Sequence, residues 1–142
     1  MSIQEIDVLY TAVATAENGR DGRVSSDDGK LDVVVNPPKE LGGGGAGTNP
    51  EQLFAAGYSA CFQGALGVVA RKAKADISGS TVTAKVSFGK TEAGGFGLAV
   101  ELTASIPNVD EATAKDLLEQ AHQVCPYSNA TRGNIKVELS VA

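Results

Sequence analysis

At 142 residues the chain fits a single domain, residues 1–142, and is long enough to bury a core without a covalent staple. Its net charge of −5, from 12 basic and 17 acidic residues, argues against nucleic acid as a partner and suits a soluble protein of the cytoplasm. The opening MSIQEIDVLYTAVA has no basic segment followed by an apolar core, so no signal peptide is expected, and no apolar stretch is expected to reach the length of a bilayer span.

In chain order, residues 4–15 are rich in Val, Ile, Thr and Tyr and predict a strand. ENGRDG (17–22) carries Asn-Gly and Asp-Gly steps and predicts a turn. RVSS and KLDVVVN follow as two more strands around a DDG turn, giving a three-stranded antiparallel meander. Residues 37–50, PPKELGGGGAGTNP, hold five glycines and three prolines and cannot be regular structure. They are either a linker or a loop that lets backbone approach a site. No Lys-Ser or Lys-Thr follows the glycines, so this is not a P-loop.

Thr48 or Asn49 can cap a helix that has Pro50 in its first turn and Glu51 or Gln52 completing a capping box. The run beyond it, LFAAGYSACFQGALGVVARKAKA, is apolar on several faces, which predicts a central, buried helix. Its Ala, Gly and Ser residues allow close packing. Residues 81–90 and 96–106 alternate apolar and polar around an EAGG turn and predict a hairpin. Residues 107–124 predict an amphipathic helix with Asp110 as N-cap and an apolar stripe of Ala114, Leu117, Leu118, Ala121 and Val124. Pro126 can open a short helical turn with Cys125 at its N-terminus, and residues 134–142 predict a last strand. The class is α+β with antiparallel sheet. One long helix apolar all round is hard to bury in so small a protein, and a homodimer would cover it.

The two cysteines, Cys61 and Cys125, admit several readings: inert buried residues, a disulfide, part of a metal site, or a redox pair. A disulfide in a cytosolic chain is more often transient and catalytic than structural. Burial among Ala, Phe and Tyr raises the pKa of Cys61, so reactivity needs a cation. The candidates are Arg20, Arg23, Lys30, Lys39, Arg71, Lys72, Lys74 and Arg132. Arg20 and Arg23 stand out because GRDGR is a Gly-flanked turn. The single histidine, His122, lies three residues before Cys125, but the chain has no C-x-x-C, so a zinc site is not expected. No G-x-S-x-G motif occurs, and GYSAC lacks its second glycine.

Four stretches, GRDGR, LDVVVNPPKELGGGGAGTNPEQLFAAGYSACF, GGFGLAVEL and AHQVCPYSNATRGNI, resemble the organic hydroperoxide resistance (Ohr) branch of the Ohr/OsmC family. The resemblance runs end to end, more loosely over residues 71–95. TNPEQLFAAGYSACF and CPYSNATRGN separate this branch from its OsmC sister, whose residues around both cysteines differ. The resemblance implies an intertwined α+β homodimer, with antiparallel sheets wrapped around central helices. It implies a thiol peroxidase for organic hydroperoxides, including those of fatty acids, with Cys61 peroxidatic and Cys125 resolving. Arg20 and Glu51 match the residues that hold the peroxidatic thiolate. The implied reductant is external, dihydrolipoamide or a lipoylated protein, with no bound cofactor and no metal.

Leu53, Phe54, Tyr58, Phe62, Phe96 and Tyr127 are the candidates for an apolar wall around an alkyl chain, which would make hydrogen peroxide the poorer substrate. Glu51 and Cys61 are ten residues apart, roughly 15 Å along a straight helix. Either the helix breaks near Gly57 or Glu51 serves Cys61 of the partner subunit, and the second also explains the apolar helix.

Overall fold

The computed structural model describes residues 3–142, which fall into two compact units dividing between Pro50 and Glu51. The first unit is the meander, with strands β1 (Ala14–Glu17), β2 (Gly22–Ser26) and β3 (Asp32–Val35) paired antiparallel in that order. Asn18 and Gly19 both adopt left-handed φ, 59° and 57°, as the Asn-Gly step predicts for the β1–β2 turn. Arg23 of β2 pairs through Nε and its guanidinium with the Asp32 carboxylate of β3.

The predicted strand over residues 4–15 shrinks to Ala14–Glu17. Residues 3–12 carry strand-forming side chains but no strand, and Leu9 is 99% exposed. β-propensity acts through a partner strand, and none of the described residues supplies one there. The glycine-rich stretch is an ordered loop. It makes one 3-10 turn at Lys39–Leu41, closes through Gly43 N–H and Gly45 N–H donating to the Pro38 and Pro37 carbonyls, and returns so that Thr48 bridges Val35.

The second unit holds helix α1 (Pro50–Ala73) from Glu51 onward, strands β4 (Thr81–Lys90) and β5 (Phe96–Ser105), helices α2 (Glu111–Val124) and α3 (Pro126–Thr131), and strand β6 (Val137–Val141). Pro50 and Glu51 fit the first turn of α1, where a missing N–H costs nothing and a carboxylate faces the dipole. Lys74 turns to φ 57° and ends the helix, with Ala75 N–H closing onto the Ala70 carbonyl. Asp110 caps α2 by accepting from Thr113 N–H at 2.7 Å.

β4 and β5 form the predicted hairpin, but β6 runs parallel to β5. The chain leaves β5, crosses through α2 and α3, and returns in the same direction, and a helical crossover of that kind yields a parallel neighbour. The core is one cluster. Val100, Leu102 and Ala104 of β5 and Leu117, Leu118 and Ala121 of α2 pack with Tyr58, Phe62, Leu66 and Val69 of α1, all under 5% exposed.

Within the single chain α1 has a buried stripe, and Gln52, Ala56, Ala60, Gly64 and Val68 form an exposed row at four-residue spacing, the face a homodimer is expected to cover. One expectation changes: α1 is long and apolar enough to cross a bilayer by length and composition, with 24 residues and a window of mean hydropathy 1.5. Its packing is that of a core helix, with Tyr58 and Phe62 fully buried and Gln63 donating to the Ser80 carbonyl.

Candidate active site

Cys61 sits midway along α1, which continues unbroken through Gly57. Cys125 lies at the corner where α2 stops and α3 starts. Its backbone N–H closes α2 on the Ala121 carbonyl, and its sulfur caps α3 by accepting from Ser128 N–H at 3.5 Å. Pro126 makes this corner, because it fits a first helical turn but not the interior of a continuing helix. The two sulfurs, 64 residues apart in sequence, stand 3.5 Å apart, and both cysteines are free thiols. Closing a disulfide at about 2.05 Å therefore requires a movement of about 1.5 Å.

Burial pushes the Cys61 thiol above its ordinary value, and the Cys125 sulfur adds to that push. The backbone N–H of Tyr127 works in the opposite direction, favouring the thiolate. One amide does not offset the burial, so the thiolate needs a cation as well.

Next to the Cys125 corner, through Pro126 and Tyr127, lies an open apolar groove of about 640 Å³, lined also by Phe54, Phe96, Leu98, Ala130, Thr131, Asn134 and Ile135; neither cysteine lines it. Phe54, Tyr58 and Tyr127 form an aromatic triangle with centroids 5.6 to 6.0 Å apart. Gly57 makes the triangle possible: a Cβ there would stand 2.6 Å from the Tyr127 hydroxyl.

Of the predicted wall, Phe54, Phe96 and Tyr127 line this groove. Tyr58 and Phe62 do not: both are 0% exposed and belong to the core. Leu53 is half-buried on α1 and does not line the groove. Ala130, Asn134 and Ile135 of α3 and the loop after it enter unpredicted, since nothing in their sequence marks a wall.

His122 is engaged with Ser128. Its Nδ1 lies 2.8 Å from Ser128 Oγ, and burial and the nearby Arg132 hold its pKa below the ordinary value. Among the described residues no group of three or more His, Cys, Asp or Glu side chains is arranged to hold a metal ion. Arg20 occupies the exposed β1–β2 turn of the first unit, next to Asp21. Arg23 is engaged with Asp32. Glu51 lies in the first turn of α1, and because the helix is continuous it remains roughly 15 Å along the axis from Cys61 of its own chain.

The OsmC-like protein family matches residues 42–140. The organic hydroperoxide resistance protein of Xanthomonas axonopodis pv. citri is 55% identical over 137 residues, covering 95% of this chain and 96% of its own. The chain belongs to the organic hydroperoxide resistance branch of the OsmC-like family. Two solved structures of this branch match the fold. That from Elizabethkingia anophelis has a TM-score of 0.91 and 58% identity, covering 96% of this chain and 99% of its own. OhrB of Bacillus subtilis has a TM-score of 0.88 and 46% identity, covering 95% of this chain and 100% of its own.

Proposed function

We propose that this protein is a thiol peroxidase that reduces organic hydroperoxides, fatty-acid hydroperoxides among them, to alcohols. The contact of two free sulfurs beside an apolar groove carries the reading. The Cys61 thiolate attacks the distal oxygen of the peroxide; the O–O bond breaks, the alkoxide takes a proton and leaves as the alcohol, and Cys61 becomes a sulfenic acid. Cys125 then attacks that sulfur; the S–S bond forms and the hydroxyl leaves with the thiol proton as water. A dithiol reopens the disulfide by exchange, and dihydrolipoamide or a lipoylated protein is the proposed reductant.

The thiolate is the costly species here, because burial opposes it. Arg20 is proposed to stabilise it and polarise the peroxide, with Glu51 holding the guanidinium by a bidentate pair. The continuous α1 keeps Glu51 away from Cys61 of its own chain, which favours a homodimer in which Glu51 serves Cys61 of the partner subunit. The exposed row of Ala56, Ala60, Gly64 and Val68 supports close helix packing in such a dimer.

A sub-stoichiometric pulse of cumene hydroperoxide, with dimedone as the sulfenic-acid trap, tests the chemistry. The expected products are a Cys61 adduct and, without the trap, a Cys61–Cys125 disulfide reopened by dihydrolipoamide. If neither product forms, the groove belongs to a ligand-binding protein with inert thiols. Heterodimers with Glu51→Ala in one chain and Cys61→Ser in the other test the subunit exchange. If the contact crosses subunits, one complete site survives; if it does not, none does.

A further inference from the structure

Two hydroxyl side chains repeat the relation of the two thiols. Tyr58 precedes Cys61 by three residues on α1, and Ser128 follows Cys125 by three on α3. That spacing stacks side chains on one helix face, a turn apart. The sulfurs meet at 3.5 Å and the hydroxyls at 2.8 Å. The contact of α1 with the α2–α3 corner thus has two parallel rungs, one of thiols and one of hydroxyls. Thr131 adds a bond to Tyr58 at 3.0 Å, and His122 adds one to Ser128 at 2.8 Å.

Tyr58 and Ser128 are both 0% exposed, and apart from Thr131 and His122 their surroundings are the apolar core. Apolar residues of the same shape would pack there with little loss, so the polar rung adds specificity of position more than stability. Helix α3 has six residues, too few to hold a position by its own hydrogen bonds. Ser128 ties it at two points. Its backbone N–H bonds the Cys125 sulfur, and its side chain bonds Tyr58 on the helix that carries Cys61.

We propose that Tyr58 and Ser128 are positioning residues for the second step of the thiol cycle, holding α3 on α1 in the register at which Cys125 meets Cys61. The inference rests on the peroxidase reading and concerns only the closing of the disulfide. When that closing is slow, the Cys61 sulfenate meets a second hydroperoxide. It is oxidised to the sulfinate, and the hydroperoxide is reduced to its alcohol. Loss of the rung should therefore divert Cys61 from disulfide to sulfinic acid.

Reduced Ser128→Ala and Tyr58→Phe are each treated with one equivalent and then an excess of cumene hydroperoxide. Mass spectrometry quantifies the Cys61 dimedone adduct, the disulfide and the sulfinic acid over time. The expected result is sulfenic acid formed at the wild-type rate, disulfide closure slowed roughly five- to tenfold, the factor of one net hydrogen bond, and more sulfinic acid in excess peroxide. Ser128→Thr keeps the hydroxyl and should restore the wild-type partition. A purely structural role would lower the melting temperature and leave the partition unchanged, and that outcome overturns the proposal. If both truncations unfold, 3-fluorotyrosine placed at position 58 keeps the shape and alters the hydroxyl, and an unchanged closing rate then overturns it. Absence of a dimedone adduct in the wild type overturns the peroxidase reading instead, and shows in that arm alone.

Discussion

Cys61 and Cys125 touch, yet their surroundings differ in kind. Cys61 is half-buried on a continuous helix, packed against the apolar core near Tyr58 and Phe62, and the burial it has opposes its ionisation. Cys125 is the more buried of the two, 0% exposed within the core, and sits at a helix boundary, where Ser128 N–H bonds its sulfur and a hydroxyl network fixes the next turn. The difference suits the two roles proposed for them. In the proposed cycle the thiol that meets the peroxide has to stay reachable, and its activation has to come from charges brought to it. A thiol that only closes a disulfide needs placement, and a helix corner supplies that.

The apolar side of the comparison breaks first at Phe62. Phe62→Ala removes a fully buried ring next to Cys61 and should cost about 3–5 kcal/mol, read as a fall in the urea midpoint. Phe96, 67% exposed at the groove and stacked on Phe88 at 5.0 Å, gives the contrast. Phe96→Ala should cost no more than about 1.5 kcal/mol, while KM for a long-chain hydroperoxide rises severalfold and that for tert-butyl hydroperoxide changes little. Equal effects of the two substitutions on stability would erase the distinction between core and groove.

The next largest effect tests whether activation of Cys61 comes from elsewhere. Arg20→Ala should lower kcat/KM for cumene hydroperoxide by about 10²- to 10³-fold and shift alkylation of Cys61 by iodoacetamide to higher pH. Arg23→Ala loses only an exposed pair with Asp32 and should leave both nearly unchanged. If Arg23→Ala were the more damaging change, the assignment within GRDGR would reverse.

Gly57→Ala, a smaller perturbation, acts at the join between the two regions. The new methyl meets the Tyr127 hydroxyl at 2.6 Å, so the ring must swing away from the aromatic triangle. Alanine gains about 1 kcal/mol over glycine in a helix interior, and the displaced ring offsets part of it. The midpoint of unfolding should move by less than about 1 kcal/mol, while KM for apolar hydroperoxides shifts severalfold. An unchanged KM would show that Tyr127 is no part of the substrate wall.

What was legible in the sequence follows the same division. Local chemistry announces the Asp110 cap, the Pro50 start of α1, the β4–β5 hairpin and the α3 turn after Pro126, because each depends on neighbours in the chain. The strand over residues 4–15 failed because pairing, which no propensity encodes, decides it. The parallel β6 depends on a crossover that the strand's own pattern does not record. In the site, cysteines and the GRDGR turn stand out by residue type. The hydroxyl rung does not, since Tyr58 and Ser128 are ordinary residues until the fold sets them 2.8 Å apart. Their matching three-residue offset from each cysteine was the available signal. Tyr58 and Phe62 were assigned to the groove for the same reason, as aromatic character does not distinguish the two faces of α1.

The smallest effect belongs to the Cys125 side and to His122, the only histidine in the chain. Burial lowers its pKa first, Arg132 adds to this, and Glu119 opposes it. Its Nδ1 is engaged with Ser128 Oγ. A histidine held below its unfolded value of about 6.5 binds fewer protons folded than unfolded, so its contribution to stability is complete above that pH and falls as the pH drops below it. The exposed carboxylates held low by hydrogen bonds, Asp28, Asp76 and Asp110 among them, follow the same sign but begin near their ordinary value of 3.8. The interval from about pH 6.5 to 5.5 lies above the ordinary values of these carboxylates and of Glu138, so His122 is the main described group titrating there. Urea midpoints across that interval should fall for the wild type and stay level for His122→Gln. The slope should survive in Cys61→Ser, because no thiol on α1 enters the balance. A wild-type midpoint as level as that of His122→Gln would mean that the imidazole titrates alike in folded and unfolded chains, and the Cys125 corner would then hold its place independently of acid in that range.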